Sequence, residues 1–133
     1  MANLTSQQAN ELANYFLSMA EDVGDYRYKN FDTLSMSQNK EIKDLLEFIR
    51  KCADELFTLS AVLVMDDVQT SLSSIGEVTK QMKGTYKTLQ DVQKAINVAA
   101  AIVTLGKALL SKNPWQIAES TGNLVECWKA AKN

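Results

Sequence analysis

Apolar side chains recur along this chain at spacings of three and four residues, the period of a helix with one buried face, and they nowhere alternate for long enough to predict a strand. The first stripe is Ala9, Leu12, Ala13, Phe16, Leu17 and Ala20. Thr5, with Gln8 three positions later, has the pattern of a reciprocal N-terminal cap. Gly24 has the conformational freedom that commonly ends a helix. A first helix is therefore predicted to run from Thr5 to about Val23 or Gly24.

A second helix is predicted to begin between Ser35 and Ser37. Its face is written by Ile42, Leu45, Leu46, Ile49, Cys52, Ala53, Leu56, Leu59 and Leu63, while Glu41, Lys43, Asp44, Glu47 and their charged neighbours cover the other side. Beyond it the apolar positions shift phase to Val64, Val68, Leu72 and Ile75. The shift falls at Asp66 and Asp67, where Asp66 is a candidate N-cap with Gln69 at the third helical position, so a turn is predicted there. From Ile75 the stripe continues through Val78, Met82, Thr85, Leu89, Val92, Ile96, Ala99 and Val103 without losing phase. Gly84, preceded by Lys80 and Lys83 and followed by Thr85, is a competing break. Phase continuity outweighs it and predicts one long third helix from about residue 67 to 110, bent at Gly76 or Gly84.

Asn113-Pro114-Trp115-Gln116 marks a fourth helix, with Asn as cap and Pro at the first helical position, where its missing N–H costs nothing. Its apolar set is Ile117, Ala118, Thr121, Leu124, Val125 and Trp128. Trp115 and Trp128 do not share a face; one is expected at the junction with the preceding helix and the other in the core. The expected architecture is all-α, an elongated four-helix bundle of helices of roughly 18, 29, 44 and 18 residues, the third about 66 Å long if straight. The stripe along that long helix has near-coiled-coil spacing, and a second subunit could complete a surface that one short helix cannot cover.

With 133 residues and 46% of them apolar, the chain has material for one core, so residues 1–133 are expected to form a single helical-bundle domain. Fourteen Lys and Arg against sixteen Asp and Glu give a net charge of -2, which supplies no general attraction to nucleic acid or anionic lipid. There is no histidine, so the commonest neutral metal ligand and the usual proton shuttle are missing. Cys52 and Cys127 match no redox or zinc spacing and read as small apolar side chains in a reducing compartment. The opening Met-Ala-Asn-Leu-Thr has neither a basic region nor an apolar run, which makes the cytoplasm the expected location.

Candidate chemistry is sparse. Asp66 and Asp67 are adjacent and do not stack on one helical face. Asp44 and Glu47 lie in a charge-rich surface pattern, and neither pair belongs to a Glu-x-x-His element. Cys52 sits on the apolar stripe and Cys127 has no imidazole base in the chain to activate it. No calcium loop, phosphate-binding glycine loop or dinucleotide fingerprint occurs. The expectation is a noncatalytic interaction module with no cofactor and no metal.

Recognition has one local candidate. Residues 24–36, containing DYRYKNF, form an aromatic and basic connector between the first and second helices, and Tyr26, Arg27, Tyr28 and Phe31 are the candidate partner-binding residues, since Tyr and Arg combine large contact area with polar ends. The same aromatics could instead cover one end of the core. The expected partner is another protein or a second copy of the chain; one aromatic-basic tract in an acidic chain is thin support for nucleic acid. The alternative function is a membrane-active or pore-forming component using the uncharged stretch 95–106. Twelve residues cover only about 18 Å of a roughly 30 Å hydrocarbon core, so that role would need a rearrangement.

Overall fold

The computed structural model describes residues 5–58 and 65–132, with the side chains of residues 6 and 65–67 outside the description. The chain is all-α, and five α-helices and a short 3₁₀ turn are found among the described residues. They are α1 (Ser6–Lys29), α2 (Met36–Leu56), α3 (Met65–Met82), the turn Tyr86–Thr88, α4 (Val92–Ser111) and α5 (Pro114–Lys132). The expected four-helix bundle is thus corrected to five. What was read as one helix over 67–110 is two, separated by residues 83–91.

The break lies at Gly84, whose φ of +74° is a left-handed conformation that stops a helix rather than bending it. The Thr85 N–H donates to the Met82 carbonyl and the Leu89 N–H to the Tyr86 carbonyl, which winds the connector tightly. Asp91 then starts α4, its Oδ1 accepting the Lys94 N–H at 3.1 Å. Thr85, placed on the expected stripe, is exposed, and Tyr86 is buried in its stead.

The caps read at Thr5 and Asn113 are formed, whereas Asp66, read as a cap, lies inside α3. Thr5 and Gln8 close a reciprocal capping box, and Ser35 and Gln38 close another that was not read from the sequence. Asn113 Oδ1 accepts the N–H groups of Trp115 and Gln116 at 3.0 and 3.2 Å. Helix α1, however, does not stop at Gly24. It continues to Lys29, because Met19, Val23 and Tyr26 extend its buried stripe, and the burial outweighs the roughly 1 kcal/mol that an interior glycine costs. The expected connector 24–36 therefore shrinks to residues 30–35. Asp66 and Asp67 are helical, so no turn falls on them; the expected core positions Leu59 and Leu63 lie outside the described residues.

Helix α1 packs on α2, α3 and the 3₁₀ turn, α4 packs on α2 and α5, and α3 packs on α5. Between them lies one packed hydrophobic core that includes Phe16, Met19, Ile49, Leu56, Ile75, Met82, Ile102, Leu105 and Trp128. Leu17, expected on the buried face of α1, is half-exposed. The product is a small, compact all-helical bundle in which α4 is the most buried helix among the described residues, with Ala95, Ala99, Gly106 and Ala108 allowing close approach by its neighbours.

Candidate functional site

Continuation of α1 to Lys29 splits the four candidate residues. Two positions on a helix are separated by about 200°, so Tyr26 and Tyr28 point to opposite sides. Tyr26 is buried, its ring edge-on to Tyr86 with centroids 5.5 Å apart, and its hydroxyl is buried without a hydrogen-bond partner among the described residues. Burial, with a further contribution from Asp91, raises its pKa above the ordinary phenol value. Tyr26 is thus a core residue. Tyr28 is 88% exposed and Phe31, in the α1–α2 loop, is 50% exposed.

Arg27, Tyr28 and Phe31 come together on the wall of an open cleft of about 870 Å³ at this end of the molecule. Arg27 is held in place from two sides. Its Nε donates to Asn39 Oδ1 of α2 at 2.7 Å, and its guanidinium carbon lies 5.7 Å from the centroid of the Phe31 ring, within cation–π range. Leu46 and Gly24 line the cleft between α2 and α1, and Arg50 reaches in from α2. A Cβ at Gly24 would sit 3.7 Å from both Arg50 Nη2 and Leu46 Cδ2, an ordinary contact, so packing does not require glycine there. Glu21, Asp25 and Asp32 complete the lining, and the cleft carries both charge signs around aromatic and aliphatic surface.

Sequence reasoning missed Leu46 and Arg50 as lining of this surface and Asn39 as the partner of Arg27, and it gave Gly24, inside the connector 24–36, only the role of a helix end. Leu46 had been read only as core and Arg50 only as solvated cover. The cleft exists because α2 crosses beside the extra turn of α1, which periodicity ending at Gly24 could not reveal.

Elsewhere the chemistry is quiet. The Cys52 thiol is buried between α2 and α4, and burial pushes it up to about 12, so it stays protonated. Cys127 is half-buried and unpaired. Among the described residues, no three Cys, Asp or Glu side chains are grouped so as to hold a metal ion. Trp128 is in the core, whereas Trp115, at the α4–α5 junction, is 71% exposed beside Lys107, Ser111 and Gln116. Helix α4 has 20 residues, and by length and composition it could cross a membrane; 56% of its most apolar window is buried within the bundle. The uncharged stretch 95–106 is therefore the middle of a longer apolar helix, and the length limit drawn from twelve residues does not apply to α4.

No protein-family model matches the chain, and no curated protein or solved structure is detectably similar to it.

Proposed function

We propose that this chain acts by recognition, as a noncatalytic helical module that docks another protein on the α1–α2 cleft. The observation that carries this reading is the contrast within one short tract. The fold buries Tyr26 completely, yet leaves Tyr28 and Phe31 open around a cleft whose Arg27 is already fixed by Asn39. Side chains held in place before binding lose less entropy when a partner arrives. Gly24 adds support. It weakens α1 without a packing reason, and its missing side chain keeps the cleft wall low.

A second copy of the chain is the partner that the cleft favours. A two-fold interface must complement itself, and here Arg27 and Arg50 on one copy can face Glu21, Asp25 and Asp32 on the other. A cytoplasmic setting accords with the two unpaired thiols. Sedimentation velocity tests the proposal. A dimer should form with increasing concentration, weaken with added salt, and vanish in a Tyr28→Ala, Phe31→Ala double variant that keeps its helical content. A monomer persisting to about 1 mM, the range of the weakest specific contacts, would exclude the second copy. Docking in general is tested by a photocrosslinker at position 28 against one at Asp54, on the exposed side of α2; equal labelling at both positions would refute a binding cleft.

A second reading rests on α4, whose length of about 30 Å matches a hydrocarbon core. In that reading the bundle opens and α4 enters lipid. Dye release from vesicles would support it, while intact vesicles at several pH values and lipid charges would leave α4 as a core helix.

A further inference from the structure

Helix α1 carries a carboxyl where its stripe calls for a core residue. Asp22 lies three residues after Met19 and four before Tyr26. It is 6% exposed, and its Oδ2 is buried with no hydrogen-bond partner among the described residues. The α3–α4 connector runs against this point. The Gly84 N–H, in the left-handed turn, faces the carboxyl. Tyr86, from the 3₁₀ turn, is buried edge-on to Tyr26, and its hydroxyl donates to the Ala95 carbonyl of α4. One face of α1 thus meets the turn that ends α3 and the residue that anchors the start of α4.

We propose that Asp22 is a proton-operated latch: in its neutral form it lets the Gly84 connector close on α1, and in its ionised form it loosens that connector. A buried carboxylate with one bare oxygen and a single facing N–H is costly, whereas the neutral acid is much less so. The charges around it do not compensate. Glu21 and Asp25 on α1 oppose ionisation, and Lys83 at the end of α3 favours it. Tyr26 and Tyr86 are phenols that burial keeps neutral, with Asp91 at the α4 cap acting on Tyr26. From α2, Arg50 lies beside Gly24.

Burial, the largest cause, raises Asp22 to about 6 from an ordinary 3.8. The closed connector therefore retains a proton that an open, hydrated one releases. Closure is favoured as pH falls through 6. Between pH 4 and 6 the open form gains close to tenfold per pH unit, up to on the order of a hundredfold. The latch controls how firmly the start of α4 is tied to α1, and it does not depend on docking at the cleft.

The test is an NMR titration of the full chain from pH 3 to 9. It follows the Asp22 carboxyl carbon, the Gly84 amide, and the exchange of the Thr85, Thr88 and Leu89 amides, corrected for the intrinsic pH dependence of amide exchange and set against the same amides in Asp22→Asn. The Asp22 and Gly84 signals should share a midpoint near 6, and corrected connector exchange in the wild type should rise between about pH 4 and 6, by up to about a hundredfold, and level off above it. Asp22→Asn should abolish the rise, and Asp25→Asn should retain it. Titration of Asp22 near 4, or corrected connector exchange that is flat with pH in the wild type, would overturn the proposal. So would an unchanged rise in Asp22→Asn. Should that variant fail to fold, the wild-type titration decides alone.

Discussion

At Gly106, α4 approaches α2 too closely to admit even a methyl group. A Cβ built there would lie 2.6 Å from Cys52 Sγ and 3.3 Å from Phe16 Cε2. Both neighbours are buried, and the sulfur is on a short side chain with a single rotatable bond, so it cannot swing away into solvent. Overpacking a core by one carbon costs about 1–3 kcal/mol, and a 2.6 Å approach belongs in the upper half of that range. Alanine recovers roughly 1 kcal/mol of helix propensity. Gly106→Ala should therefore destabilise by a net of about 1–2 kcal/mol. Urea unfolding followed by tryptophan fluorescence measures this as a lower midpoint at unchanged slope. The cause is isolated in a Cys52→Ala background, where the sulfur is gone and Phe16 needs to yield only a few tenths of an ångström. There Gly106→Ala should be neutral or stabilising, a coupling of at least about 1 kcal/mol. A Gly106→Ala midpoint at or above wild type with Cys52 present, or an equal loss in both backgrounds, would refute the close α2–α4 contact.

Lys112, the C-cap of α4, has φ +65°, so Lys112→Gly should stabilise by about 1 kcal/mol in the same assay. Gly24→Ala should stabilise by a similar amount, about 1 kcal/mol, because its Cβ meets only ordinary contacts; if the cleft is the docking surface, the variant should also bind less well. The pH dependence of global stability carries the sign of Asp22. Its native value of about 6 lies above the ordinary 3.8, so the native state holds a proton that the unfolded chain releases. That contribution is complete below pH 3.8 and is lost as pH rises through 6, at most about 3 kcal/mol. Urea midpoints at pH 5 and 7.5 should show wild type losing more stability with rising pH than Asp22→Asn, and parallel profiles would contradict the sign.

The fold was legible where local chemistry and burial agreed. Thr5, Ser35 and Asn113 combine caps with the onset of a stripe, and the helices begin there. The α3–α4 break was hidden by a coincidence of phase. Ile75 and Ile96, Val78 and Ala99, and Met82 and Val103 are each twenty-one positions apart, close to six helical turns. Two separate helices facing one core therefore look like a single uninterrupted helix, although Gly84 carried the true signal. At Gly24 the error ran the other way: a glycine with the character of a helix end lies inside α1, because Val23 and Tyr26 still have core to reach. The same misplacement concealed which tyrosine of the tract turns inward. Extending the α1 stripe would have assigned Tyr26 to the core, and it would have exposed Asp22 as an acid at a buried position. Leu46, Arg50 and Asn39 were not recoverable from periodicity, since their meeting with α1 depends on how two helices cross.

Proposed recognition through the α1–α2 end is tested most directly by a dilution series of ¹⁵N-labelled protein, reading every backbone amide. The amides of Arg27, Tyr28, Phe31, Leu46 and Arg50 should shift together with concentration and define one dissociation constant, while those beside Trp115 stay fixed. Amides that are invariant up to about 1 mM, or shifts confined to the Trp115 face, would contradict self-docking at this cleft.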